Sequence, residues 1–560
     1  MIEENKKEIN EEKPSDDKKE NNEDKILSIL DPDQSEYINN IISISIPEYE
    51  NKFISNKVVT FYRIKIIDYF KKDIWTLDKR YSEFESFHKS IQDIFSQVPS
   101  IPGKTLFKVS SLEAIKKRQT ELETFLKECI IRKDIFSTKE FQTFLDLESH
   151  APHLTSIKPT EEGKLENIPL GVRDFIYDKN EGVIFMCCSD MNIISRADSM
   201  LSNFRFPWEK KTEENVPLGG AFCFRVQKLG IGYEFMRTWS KAYTVQTGII
   251  NFDKKSLTVG VGLDDGSIFL YKIEPESNFS KFSDLKKMRP HNDRVMGIEF
   301  DSDLGKVYSV STDKLFLVSD LNYEKSEPIT INKSSYGYTN IFYDKDNKRC
   351  FLTNEGGQIE VYLTENFPPT LAVNFKTSSG GCIRGLNINL RKQLMFTTDM
   401  IGKISVIDLN APGKEKNISE ISTFGAKSKL RIAVFDGNNS EIITGDEEGR
   451  ITIWSLKSGE SIFVWVAHPR SAITQMVYDE DNRLLWSGAK DKSIKIWKLP
   501  EKWVSDDILD FEKNELKRIN DIIAERKIKK KMEMMDDDED EYASSGSLED
   551  DLNGWNYRKD

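Results

Sequence analysis

The chain has 560 residues, 38% hydrophobic and 31% charged, with 80 Lys and Arg against 93 Asp and Glu, a formal charge of −13. That length exceeds one ordinary core and implies two to four domains. The acidic balance argues against nucleic acid as a partner and against bulk electrostatic adhesion to anionic membranes, so any membrane contact is expected to be local and stereospecific.

Residues 1–36 mix Glu, Lys, Asn and Asp with almost nothing apolar and predict a disordered leader, with neither a signal peptide nor a mitochondrial presequence. A compact α+β unit is expected over 37–150. Extended runs at 41–46, 57–68 and 74–77 predict three antiparallel strands. Phe84, Phe87, Ile91 and Ile94 then recur at spacings of three and four, predicting an amphipathic helix over 82–95. A proline-bounded loop, VPSIPGK at 98–104, follows, and then helical segments at about 110–130 and 137–147.

From 165 to 500 the pattern becomes short strands, turn residues and a repeat. FLYKI (269–273), LVSDL (317–321), EVYLT (360–364), SVIDL (405–409), TIWSL (452–456) and KIWKL (495–499) recur at a spacing of about 43 to 48 residues, the period of a four-stranded propeller blade. A seventh unit is expected at 175–196, separated from the second by an extra stretch of about 25 residues. Seven blades close a ring and so remove exposed sheet edges. Ser505 opens a helix predicted over 505–531, which either packs under the propeller or pairs between chains, and 532–560 reads as an acidic disordered tail. Within that tail Ser547 precedes acidic residues, which suits an acidophilic kinase or simply a solubilising segment. The six cysteines lie in apolar stretches with no CxxC, so reduced core thiols are expected and no metal site.

Three motifs carry the chemistry of the first unit: KRYSEF at 79–84, VPSIPGK at 98–104 and KKRQTELETFL at 116–126. In this order they resemble the phox-homology (PX) family of phosphoinositide readers. That resemblance implies that Arg80 clamps a 3-phosphate, Tyr81 stacks on the inositol, Lys104 meets the 1-phosphate and Arg118 hydrogen-bonds the 4- and 5-hydroxyls. Phosphatidylinositol 3-phosphate is then the expected ligand. The residue types suit the task, because a phosphate monoester rewards the planar, permanently charged guanidinium fork, and an arginine occupying the space at the hydroxyls disfavours ligands phosphorylated there. Between the motifs, Leu106, Phe107 and Val109 alternate with Lys104 and Lys108, a pattern that suits insertion into the interfacial layer or packing against the sheet.

The 473–499 unit resembles the WD-repeat family, with His468, Ser487, Asp491 and Trp497 matching the buried set that staples a blade. The 431–456 unit keeps Thr444 and Trp454 but has Glu448 where Asp is usual, while Tyr271, Ser319, Tyr362 and Ile407 stand at the Trp position elsewhere. A weaker likeness is to WD-repeat proteins carrying a FYVE zinc finger, whose cysteine cluster is missing here. No nucleotide-binding glycine motif and no nucleophile–base arrangement occurs, so no catalytic residues, cofactor or enzyme activity is expected. The composite expectation is a multidomain protein, an α+β PX domain followed by an all-β seven-bladed propeller. It would act as a cytoplasmic, peripheral adaptor on endosomal or vesicle membranes, with protein partners on the propeller. The alternative is a protein-interaction scaffold whose PX domain no longer binds lipid.

Overall fold

The computed structural model describes residues 41–54, 57–103, 112–166, 168–189, 218–230, 232–321, 327–409, 419–425 and 428–503, with isolated positions 514, 517 and 521. The leader, the acidic tail and, but for those positions, the helix expected at 505–531 lie outside the described residues.

Three strands, β1 (Ile42–Ile54), β2 (Lys57–Asp68) and β3 (Asp73–Arg80), form an antiparallel meander in that order. β1 buries Ile42, Ile44 and Ile46 on alternate positions, as a one-sided strand must. It then runs eight residues past the expected end at 46, because the register slips between Ser45 and Glu48 and accommodates Pro47, which has no N–H for the ladder. Against the sheet pack α1 (Tyr81–Ile94) and α2 (Leu112–Ile131), through Phe84, Phe87 and Ile91 of the first and Leu122, Phe125, Leu126 and Cys129 of the second. Phe87 stacks on Phe144 with ring centroids 4.6 Å apart, and each such buried ring stabilises the unit by about 1.5–3 kcal/mol. The helix expected at 137–147 is instead three short segments, α3 (Lys133–Phe136), α4 (Lys139–Phe144) and α5 (Leu147–His150). Thr138 interrupts it by capping α4, its hydroxyl accepting the Phe141 N–H, and Asp146 ends α4 in the left-handed region at φ 55°.

Seven four-stranded antiparallel sheets follow, the blades of a propeller. The first spans 172–243, and the next five span 247–288, 295–333, 338–376, 383–425 and 430–466. In the first blade the strands Val172–Asp178 and Val183–Ser189 are followed by Gly219–Leu229 and Gly232–Tyr243. The extra stretch expected between two blades therefore falls inside one, between its second and third strands, and 190–217 lies outside the described residues.

The seventh blade has three strands of its own, Ile473–Asp479, Leu484–Ala489 and Ser493–Lys498. Its outermost strand is β4 (Thr160–Leu165), which comes from before the first blade and pairs antiparallel from Ile494↔Leu165 to Lys498↔Thr160. Part of the connection between the two units is thus the clasp of the ring. Trp486, wholly buried, shows how neighbours seal: Tyr177 of the first blade lies at 4.4 Å between ring centroids, with Tyr233 and Phe235 at its edges.

The blade staple is present where the sequence puts it. His468, fully buried, holds Asp491 Oδ2 through Nδ1 at 2.8 Å and Ser487 Oγ through Nε2 at 2.8 Å, and Trp497 Nε1 donates to Ser487 Oγ at 2.9 Å. A second staple escaped the sequence reading. His291 meets Asp313 through Nδ1 at 3.1 Å and Ser309 Oγ through Nε2 at 2.9 Å, while Ser319 stands where a Trp would complete the set. In the sixth blade Trp454 Nε1 donates to Thr444 Oγ1 at 2.8 Å, but Glu448 is not engaged by a histidine.

Candidate lipid head-group site

The site is assembled at one end of the first unit, where β3 runs directly into α1. Arg80 is the last residue of the strand and Tyr81 the first of the helix. Glu83 stabilises this junction, its Oε2 accepting the Arg80 backbone N–H at 3.0 Å at the positive end of the helix. The Arg80 side chain is 57% exposed, with its Nε 3.9 Å from Glu83, too long for a hydrogen bond. An exposed pair of this kind contributes little and leaves the guanidinium fork open to a stronger acceptor.

Tyr81 is fixed from both sides. Its hydroxyl donates to the Pro102 carbonyl at 2.5 Å, and two turns further on His88 Nε2 lies 3.1 Å from the Pro99 carbonyl, so α1 clamps the proline loop at two points. Arg118, on α2, lies with its guanidinium 4.5 Å from the centre of the Tyr81 ring, within cation–π range. The same guanidinium hydrogen-bonds the buried Tyr62: burial pushes that phenol up, and Arg118 pulls it part of the way back. Of the four predicted head-group residues, Tyr81 and Arg118 therefore meet, and Arg80 directly precedes Tyr81 with its side chain exposed. Lys104 and the expected insertion residues Leu106, Phe107 and Val109 lie outside the described residues.

Nearby carboxylates are occupied. Asp78, two residues before Arg80, takes Arg63 Nε at 2.9 Å and Lys52 Nζ at 3.0 Å, and the Arg63 hydrogen bond holds its carboxyl below the usual range despite partial burial. It does not compete for Arg80. A cavity of about 420 Å³ opens beside the site, between β1 and α2, lined by Pro47, Glu48, Tyr49, Lys116, Gln119 and Thr120. The sequence offered no sign of it, because it follows from the bulge at Pro47. It contains neither Arg80 nor Tyr81. Among the described residues no helix is long and apolar enough to cross a membrane.

Comparison with known proteins divides along the same lines. The PX domain family matches residues 67–148, and the WD domain, G-beta repeat family matches residues 459–498. Human striatin is 20% identical over 291 residues, covering 48% of this chain and 37% of its own length, and rat striatin matches equally. Human WD repeat and FYVE domain-containing protein 2 is 24% identical over 132 residues, 24% of this chain and 32% of its own. The chain thus spans about a third of the length of these curated relatives. A chain in a crystal structure of the mitotic checkpoint complex aligns with a TM-score of 0.45 and 14% identity, over 62% of this chain and 93% of that one. The two family matches and the observed sheets together identify a PX domain followed by a WD-repeat β-propeller.

Proposed function

We propose that the chain is a peripheral membrane adaptor that reads phosphatidylinositol 3-phosphate through its PX domain and displays its propeller to protein partners, on endosomal or vesicle membranes. Arg80 takes the 3-phosphate, Tyr81 the inositol face, Arg118 the 4- and 5-hydroxyls and Lys104 the 1-phosphate, while Leu106, Phe107 and Val109 enter the interfacial layer. The observation that carries the reading is the approach of Arg118 to the Tyr81 ring at 4.5 Å, with Arg80, next to Tyr81 in the chain, keeping its guanidinium exposed. α1 also begins on this side, at Tyr81, and helix N-termini favour phosphate. The lipid-reading unit is 37–150, and the propeller is 165–500 together with the clasp β4.

Flotation of the full chain on vesicles bearing each phosphoinositide tests this. Selective capture by phosphatidylinositol 3-phosphate is expected, with at least a roughly tenfold loss in Arg80→Ala, since a charge-assisted contact contributes about 1.5–3 kcal/mol. Equal flotation of wild type and variant would leave the alternative, a scaffold whose PX domain serves only for packing.

A further inference from the structure

Among the described residues, the PX domain contacts the sixth blade of the propeller, at its outermost strand and at the turn that leads into its third strand. Asp134, the second residue of α3, is gripped by Arg132 from its own domain, Nε to Oδ1 at 3.0 Å and Nη2 to Oδ2 at 2.6 Å. Arg450 of the sixth blade reaches across to the same carboxylate, Nη1 to Oδ2 at 2.9 Å, while its Nε holds Asp446 at 2.7 Å. The charges therefore alternate along one chain, Arg132, Asp134, Arg450, Asp446, with side chains 28%, 10%, 16% and 5% exposed. Largely buried groups of this kind are held only when each has its partner.

Three further contacts flank the chain. Lys133 Nζ donates to the Ser461 carbonyl at 2.6 Å, and Val466 packs against the PX core; both belong to the blade's outermost strand, Ser461–Val466. Ser96 Oγ donates to Glu448. Glu448 is the residue that departs from the WD pattern, where an aspartate would face a histidine inside the blade. Its carboxylate turns outward instead, to Ser96 and to Arg450 at 3.3 Å. The departure from the repeat is explained by docking.

The covalent connection adds a second attachment. The PX core still includes Leu154, and β4 starts at Thr160 as the outer strand of the seventh blade, next to the sixth. Five residues thus separate the last packed PX residue from the clasp.

The direction of docking follows from two helices. α1 starts at Tyr81 in the candidate site and ends at Ile94, two residues before Ser96. α2 carries Arg118 near its start and ends at Ile131, next to Arg132 and Asp134. At a rise of about 1.5 Å per residue, both helices place the head-group site and the propeller contact at opposite ends, about 20 Å apart.

We infer that the PX domain and the propeller form one rigid body, locked at Asp134–Arg450, with the lipid-reading pole facing away from the ring. Resting on the lipid-binding reading for its membrane consequence, this makes the PX domain a fixed stand-off: it sets the height and tilt of the propeller above the membrane.

The docking is testable without lipid. In the full chain with Cys382→Ser, spin labels at Lys57→Cys and Lys392→Cys report the interdomain distance by double electron–electron resonance. A single narrow distribution is expected, broadening in Arg450→Ala and in Lys133→Glu; the second lies outside the propeller and cannot act by unfolding the blade. A broad distribution in the parent, or one unmoved by both variants, overturns the inference. On vesicles containing phosphatidylinositol 3-phosphate, neutron reflectometry is expected to find the propeller at one height in the parent and at a spread of heights in Lys133→Glu, with flotation retained. One height in both overturns the stand-off. Loss of flotation by the parent, with the narrow distribution kept, counts against the lipid reading alone.

Discussion

Replacing Ser487 by Ala removes the pivot of the complete staple, and the hydrogen bonds dictate how much should be lost. Trp497 Nε1 can only donate, so Ser487 Oγ accepts from it, and the same hydroxyl is the hydrogen-bond partner of His468 Nε2, a wholly buried ring whose Nδ1 faces Asp491. Loss of one hydroxyl therefore orphans two buried groups, each costing about 1–3 kcal/mol, for a sum of about 2–6 kcal/mol. The incomplete staple is an internal control. Ser309→Ala orphans only His291 Nε2, because Ser319 occupies the Trp position, so its cost is about half. For a unit of roughly 340 residues, 1 kcal/mol corresponds to about 1.4 °C in Tm. Thermal unfolding of the full chain should then fall by about 3–8 °C in Ser487→Ala and by about 1.5–4 °C in Ser309→Ala. Equal shifts, or a larger one in Ser309→Ala, would refute this two-against-one account of the staples.

Four further outcomes are expected. Burial pushes the Asp174 carboxyl up to about 6, against its hydrogen bonds from the Ile250 N–H and Gln475. A folded-state value above the unfolded one means stability present at acidic pH and lost as pH rises toward 6, by up to about 3 kcal/mol, so urea midpoints should decline across pH 4–6.5 with a slope that Asp174→Asn flattens. Gly449→Ala should sharply lower soluble yield and Tm, because at φ +85° the new Cβ would lie 1.6 Å from the His468 carbonyl oxygen. A propeller beginning at residue 168 lacks β4 and exposes the Ser493–Lys498 edge; size-exclusion chromatography should show aggregates or oligomers, whereas one beginning at 157 should elute as a monomer. Among the six thiols, Cys382 is the one not fully buried and should react first with a disulfide reagent under native conditions, the other five only on unfolding.

Much of the fold was legible because burial writes a period. The third strands of the blades each end on the same apolar pattern, and α1 shows its face through Phe84, Phe87 and Ile91. What stayed hidden lacked that imprint. β4 reads TEEGKL and buries only Leu165, so nothing in its composition distinguishes an outer edge strand from a linker. The His291 staple was obscured by Ser319, and the third strand of the first blade by the long interruption before it. At the candidate site, Arg80, Tyr81 and Arg118 were visible as motif residues, and the Tyr81–Arg118 contact depends on a β3–α1 junction that the local pattern also indicates. The docking contact was not foreseeable, since Asp134 and Arg450 are ordinary surface types in sequence and Glu448 looked only like an imperfect repeat.

The clasp has a consequence for synthesis. The strand that completes the seventh blade leaves the ribosome roughly 330 residues before the strand it pairs with, so the ring cannot close until nearly all of it exists, a contact of the kind that slows folding. Through that interval β4 stands as an open edge beside an already folded PX domain. Its glutamates and lysine suit such a wait, since charged side chains discourage a stray strand from annealing there. The polarity that conceals β4 from pattern recognition is the property that keeps it available to its proper partner.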